Sequence, residues 1–258
     1  MPNRERSIRT EALVLRHSDW GEADRLLTLY TDRLGKVRAL GKGIRKPKSR
    51  KAGHLEPFTH TNLQLAKGRD LYIITQAETL NAYLPLRSNL INVGLASYII
   101  ELLDRFTYEE EENSAMFRLA VRTLTRLDAD PDPSLVLRYY EMRLLDLLGF
   151  RPELQTCAIC HAEIQAEDQY FSAEQGGILC PRCGRNQPGA RPISMRALKY
   201  LRHFQRSSYE AAKVADPGPV LHNELEILMH HYLTYLLERN LNTPAFLRSV
   251  RRELQSPE

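Results

Sequence analysis

From Thr10 to about Asn81 the apolar positions come in short extended runs. Ala12–Arg16 and Arg25–Thr31 (RLLTLYT) are apolar, and Lys36–Lys42 alternates cations with Val37 and Ala39. Phe58–Ala66 (FTHTNLQLA) alternates again, and Asp70–Thr79 (DLYIITQAET) closes the series. A period of two marks strands with one face inward. Asp19 with Gly21, Asp32 with Gly35, Gly53 with Pro57, and Lys67–Gly68 supply turn residues between them. Five strands in about eighty residues, all β and followed by helix, predict a small closed barrel of the OB type. An SH3-like barrel would carry nearly the same signature, and the alternation alone does not separate the two.

After Pro85 the period lengthens. Ile91, Leu95, Ile99, Leu102 and Leu103 predict a buried helix over Leu90–Phe106, ended by the acidic run Tyr108–Glu112. Phe117, Ala120, Val121 and Leu124 predict a second over Ser114–Leu127, with Ser114 as its cap. Asp130–Pro133 breaks the pattern, and Leu137, Tyr140, Leu144, Leu145 and Leu148 predict a third helix over Ser134–Gly149, stopped by Gly149. A ribbon-like segment follows, and helices resume at Ser194–Arg206, Val220–Arg239 and Thr243–Leu254. The expected fold class is α+β multidomain. An OB-type barrel over 1–81 precedes an all-α domain, 82–150 and 189–258, which carries a zinc-ribbon-like module at 151–188.

Charge is distributed unevenly. Residues 1–80 hold 16 Lys/Arg and 9 Asp/Glu while the whole chain is only +4, so the excess belongs to the first third and points to a polyanion partner there. It concentrates in Gly35–Lys51 (GKVRALGKGIRKPKSRK), where Lys36, Arg38, Lys42, Arg45, Lys46, Lys48, Arg50 and Lys51 stand with no acid among them. In a strand, Lys36, Arg38, Leu40 and Lys42 share one side and Val37 and Ala39 the other. Gly41, Gly43 and Pro47 then break the strand into a loop. Cations on one strand face, continuing into a cationic loop, suit a phosphate backbone, and these eight are the candidate DNA-binding residues. A solvated loop tip is the competing reading. Trp20, Tyr30, Phe58 and Tyr72 also fall in the barrel region and could stack on bases, although small barrels more often fill their interior with such side chains.

All four cysteines lie in two pairs, Cys157-x-x-Cys160 and Cys180-x-x-Cys183, separated by nineteen residues. That spacing is expected of a four-thiolate zinc site, each pair forming a knuckle that aims two sulfurs at one tetrahedral metal. Gly184 and the Gly176–Gly177 pair would relieve backbone crowding. Four thiolates close the coordination sphere, so the expected Zn2+ is structural. His161 could substitute as a ligand but fits better as an exposed turn residue. A redox dithiol and a site that no longer holds metal are the rival readings. Arg182, Arg185 and Arg191 could bring the module to DNA, but Glu163, Glu167, Asp168 and Glu174 dilute their charge.

Other signals fail. Gly43–Ser49 lacks the glycines of a phosphate loop, having Lys42 and Pro47 where they would stand. His222, His230 and His231 have no HExxH pattern, and no nucleophile elbow or telling carboxylate pair is visible, so no enzyme is expected. No apolar h-region follows the arginine-rich N-terminus and no run approaches a membrane span; the expected protein is soluble and cytoplasmic, with no membrane or small-molecule partner.

As a set, the run EALVLRHSDWGEADRLLTLYTDRLGKVRALGKGIRKPKSR, QAETL at Gln76–Leu80, and RLLDLLGFRPELQTCAIC at Arg143–Cys160 resemble the RecO family of bacterial recombination mediators. The resemblance covers most of the chain. It implies an N-terminal OB fold, a helical domain and a zinc-binding module. It further implies binding of single- and double-stranded DNA, annealing of complementary strands, and loading of the recombinase onto coated single strands together with RecR. Another implied partner is the acidic, apolar C-terminal tail of the single-stranded-DNA-binding protein. Arg118, Arg122 and Arg126 on the second helix are candidates to receive its carboxylates, though a solvated arginine face explains them as well. The expected mechanism is physical: cations neutralise phosphates and release counterions. The alternative is a zinc-ribbon scaffold for protein–protein contact with incidental nucleic-acid affinity. A metal-dependent nuclease would need an open metal site and surrounding carboxylates, and neither is visible.

Overall fold

The computed structural model describes residues 7–130, 132–215 and 217–255. The arginine-bearing start, residues 1–6, and Pro131 in the break before the third helix lie outside them. Strands β1 (Ser7–Trp20), β2 (Asp24–Thr31), β3 (Gly35–Gly41), β4 (His60–Lys67) and β5 (Tyr72–Asn81) close into a barrel in the order β1-β2-β3-β5-β4. Insertion of β5 between β3 and β4 makes this an OB-type closure and resolves the ambiguity left by the alternation. β1 pairs twice, Ser7–Leu13 with β4 and Ala12–Trp20 with β2. A register irregularity between Val14 and Arg16 bends it from one partner to the other. Val14, Leu27, Leu29, Val37, Leu63 and Leu65 fill the interior and are at most 1% exposed.

β3 meets β5 only through Ala39–Tyr72 and Leu40–Ile73, in parallel, which leaves its first half without a strand neighbour on that side. The acidic run takes that edge. Glu109 bridges Lys36, and the Glu110 N–H donates to the Lys36 carbonyl at 2.8 Å. Gly35 permits the approach, since a Cβ there would lie 1.9 Å from the Glu111 carbonyl oxygen, and its φ of +63° suits glycine besides. Tyr108–Glu112 thus covers a sheet edge as well as ending a helix.

Two compact units result, Met1–Asp130 with Asn242–Glu258, and Pro131–Leu241. The first joins the barrel to α1 (Leu90–Phe106), α2 (Ser114–Ala129) and the C-terminal α8 (Thr243–Gln255). The cap of α2 is Asn113, whose side chain accepts the Met116 N–H at 3.0 Å; Ser114 is the first helical residue instead. Glu101 on α1 fastens α8. Its carboxylate accepts the backbone N–H groups of Asn242 and Thr243, both at 2.8 Å, and the Thr243 hydroxyl at 2.5 Å.

The second unit holds α3 (Pro133–Leu147), β6 (Gln169–Ser172), β7 (Gly177–Leu179), α4 (Pro181–Gly184), β8 (Arg191–Ile193), α5 (Met195–Arg206), α6 (Tyr209–Lys213) and α7 (Gly218–Leu237). A three-stranded sheet, β7-β6-β8, carries the cysteines between α3 and α5. α6, five residues long, is too short to show a helical period and was not expected. Among the described residues, no helix is long and apolar enough to cross a membrane.

Replacing Glu101 with Ala should strip three acceptor contacts from the start of α8 and weaken its docking by about 1–3 kcal/mol. Hydrogen exchange should then show faster amides in α8 with β2 and β4 unchanged; unaltered α8 protection would mean that the helix is held by its apolar face alone.

Candidate nucleic-acid interface and candidate metal centre

The barrel's closure decides which way β3 points its charges. Val37 and Ala39 enter the core, so Arg38 and Lys42 face solvent and Lys36 lies half-buried on that same outer side. The loop beyond Gly41 buries Ile44 under the barrel and leaves Lys42, Arg45, Lys46, Lys48 and Arg50 exposed.

The eight cations divide by what they touch. Lys36 is a strut: its Nζ donates to the Asp104 carbonyl at 2.6 Å and pairs with Asp104 Oδ1 at 3.2 Å, in the last turn of α1, where a cation also meets the negative helix end. Lys51 donates to the Ile74 carbonyl at 3.1 Å, tying the loop's end to β5. Arg45 pairs with Asp19 at 3.4 Å and donates to the carbonyls of Gly21 and Glu22. Arg38, Lys42, Lys46, Lys48 and Arg50 are exposed and make no ion pair or hydrogen bond through their side chains among the described residues.

The loop is also held at its root. The Gly43 N–H donates to Asp24 Oδ1 at 2.7 Å and the Arg45 N–H to the Ala23 carbonyl at 3.0 Å. The first turn of the cationic loop is thus pinned to the β1–β2 turn. The 68–71 turn leads directly into the β5 residues that pair with Ala39 and Leu40 of β3. Lys67 and Arg69 are exposed there. They were missed in the sequence because two cations two residues apart do not stand out without the strand order. The acidic run bounds the start of β3: burial above all, with Glu111 adding to it, pushes the Tyr30 hydroxyl up to about 12, and burial with Glu110 raises Tyr72.

The four aromatics divide as well. Tyr30 is fully buried, Tyr72 is half-buried, and Phe58 lies under the Arg87 guanidinium, 5.7 Å from the ring centre. Trp20 is 50% exposed at the end of β1. On α2, Arg118 and Arg122 are exposed and Arg126 is half-buried, a row at four-residue spacing; Arg118 donates to the Ser114 hydroxyl at 3.0 Å.

The two Cys-x-x-Cys pairs converge as their spacing requires. The four sulfurs lie within 4.8 Å of one another, with Cys160 and Cys180 3.8 Å apart, about the edge of a tetrahedron built on metal–sulfur bonds of about 2.3 Å. The cysteines are free thiols. The Ala162 N–H above all holds the Cys160 thiol down at about 6. Burial works against ionising Cys157, yet N–H groups of Cys160, Cys180 and Ile159 bring it below its ordinary value. Burial beside the other sulfurs pushes Cys183 up to about 12. Four thiols this close cannot all ionise without a cation among them, and the four sulfurs form a donor set that could hold a metal ion. Gly177 and Gly184 are packing necessities: a Cβ would come 2.5 Å from the Glu153 carbonyl in one case and 2.4 Å from Tyr170 in the other. His161 is exposed in a turn and outside the donor group, while Arg182 sits beside the Cys160 and Cys183 sulfurs, whose negative character raises its own pKa.

Residues 5–83 match the family model for the recombination protein O N-terminal domain, and residues 87–245 that for the recombination protein O C-terminal domain. DNA repair protein RecO of Roseiflexus sp. (strain RS-1) is 44% identical over 253 residues, covering 98% of this chain and 89% of that protein. DNA repair protein RecO of Dehalococcoides mccartyi (strain CBDB1) is 36% identical over 244 residues, 95% of this chain and 96% of that one. That of Desulforamulus reducens is 36% identical over 240 residues, 92% of each. With both halves matched in order, and the expected barrel, helices and cysteine cluster all present, the chain belongs to the RecO family.

Proposed function

We propose that this chain is a non-catalytic DNA-repair mediator that grips the sugar–phosphate backbone of single- and double-stranded DNA on the outer face of β3 and the loop that follows. The observation that carries it is the set Arg38, Lys42, Lys46, Lys48 and Arg50, exposed, partnerless among the described residues, and continuous along one strand and one loop. Cations already satisfied by protein acceptors gain little from a phosphate, so Lys36 and Lys51 serve the scaffold, and Arg45 fixes the loop's first turn. The contacts are to phosphate and carry no base readout. Bringing two strands to one cationic surface lowers their mutual repulsion, which supports the annealing that the family resemblance implies. Recombinase loading with RecR is the remaining role on this reading. The Arg118–Arg122–Arg126 row is the proposed receiver of the acidic tail of the single-stranded-DNA-binding protein.

The cysteine cluster is proposed to hold one structural Zn2+ through Cys157, Cys160, Cys180 and Cys183. The ion would neutralise the crowded thiolates and lock β7 and α4 onto the knuckle loops, with no open position for catalysis.

If five phosphates are engaged, the log–log salt slope on single strands should be about −3.5, at roughly 0.7 per phosphate. Alanine at Arg38, Lys42, Lys46 and Lys48 together should flatten it to about −0.7, whereas Lys36→Ala should leave the slope unchanged and lower stability by about 1.5–3 kcal/mol. Filter binding across a salt series and denaturant melts read both; an unchanged slope in the fourfold variant would reject the assignment.

Elemental analysis of protein purified without added metal should give about one zinc per chain, the load of a single four-thiolate site. Chelation should lower the unfolding midpoint of the second unit and leave oligonucleotide affinity within about twofold, because the phosphate-binding cations lie in the first. Affinity falling in step with zinc loss would move the DNA contact to the cysteine module.

A further inference from the structure

Strand β1 ends, at the turn into β2, on the chain's only tryptophan. Trp20 sits opposite Asp24 in the last pair of the hairpin, and half its surface meets solvent. A large indole left that exposed on a small barrel loses the burial that ordinarily holds aromatic side chains inside. Its neighbours are the contacts that fix the cationic loop: Asp19 pairs with Arg45 at 3.4 Å, Gly21 and Glu22 accept from the same guanidinium, and Asp24 accepts the Gly43 N–H at 2.7 Å. An exposed ring and a track of unpaired cations are therefore held on one rigid junction of two turns.

We infer that Trp20 is a base-stacking platform beside the phosphate track and that it gives this face a preference for single strands. The inference rests on the phosphate-binding reading above and adds what that reading lacks. Phosphate contacts alone give a single strand no advantage, since a duplex presents the same backbone at a higher linear charge density. An indole face discriminates, because a single strand can turn an unstacked base onto it and a duplex keeps its bases stacked inside. Every base has a π-face, so the platform prefers single strands without preferring a sequence. Tyr30, Phe58 and Tyr72 do not offer this surface: one is in the core, one is covered by Arg87, and one is half-buried.

The lone tryptophan makes the test direct. The full chain is titrated with an oligo(dT) single strand and with a duplex carrying the same number of phosphates, following binding by the anisotropy of a label on the DNA and stacking by tryptophan emission. The single strand should quench the emission and the duplex, at equal saturation, should not. Trp20→Ala should weaken single-strand binding by about 5- to 150-fold and leave duplex affinity within twofold; Trp20→Phe should recover part of the loss. Emission unmoved by a single strand that anisotropy shows to be bound overturns this inference alone, as does an equal loss on both DNA forms. Absence of binding in anisotropy overturns both this inference and the phosphate-binding reading.

Discussion

Closing five strands into a barrel requires one strand that can pair at both of its ends, and here that strand is β1. Its fourteen residues hydrogen-bond β4 through the first half and β2 through the second, with the irregularity between Val14 and Arg16 absorbing the change of direction. Once the sheet is closed, each strand has an inside and an outside fixed by the period of two. Val37 and Ala39 then have no alternative to the core, and Arg38 and Lys42 no alternative to solvent. The charged face is therefore a consequence of closure. A one-residue slip of β3 against β2 would bury its cations and expose its valine.

The same strand is divided along its length. Its beginning is committed to the fold: Gly35 admits the acidic segment, Lys36 is locked to Asp104, and Glu109–Glu111 occupy the edge that β5 does not reach. Its end is open and cationic. A half-buried ammonium with a carbonyl and a carboxylate within 3.2 Å contributes to stability, whereas exposed lysines on a loop contribute almost none. Cations that do nothing for the fold, and face no carboxylate, are the ones a polyanion can recruit at least expense. The acidic run at the opposite end repels phosphate, so charge along this face has a direction as well as a sign.

What was legible in the chain follows from what leaves a periodic trace. The alternation around Val37 and Ala39 was visible, as were the apolar stripe of α1 and the sulfur spacing, and each appears in the structure within a residue or two. Partners do not leave such a trace. Helical period shows that a residue such as Leu95 is buried without showing against what, so the attachment of α8 through Glu101 could not be read, nor could the sorting of α1, α2 and α8 with the barrel. Lys36 and Arg38 look alike in a basic run; only the position of Asp104 separates a strut from a free cation. Trp20 could not be told from the aromatics that fill the barrel, because composition says nothing about which residue falls in the last pair of a hairpin.

The two candidate sites obey opposite physical requirements, which is why one was easier to read than the other. A four-thiolate centre works only if its donors meet at fixed distances, so the sequence must encode them at fixed spacing, and the sulfurs do converge within 4.8 Å. A phosphate surface needs charge density and tolerates displacement of any one group by several ångströms, since screened attraction falls off over roughly 8–10 Å at physiological salt. Its members can be exchanged, lost or borrowed by the scaffold with no change in pattern. For that reason the candidate metal ligands stand out by spacing alone, whereas the proposed phosphate-binding cations can be told from their neighbours only by finding which of them the protein has left unpaired.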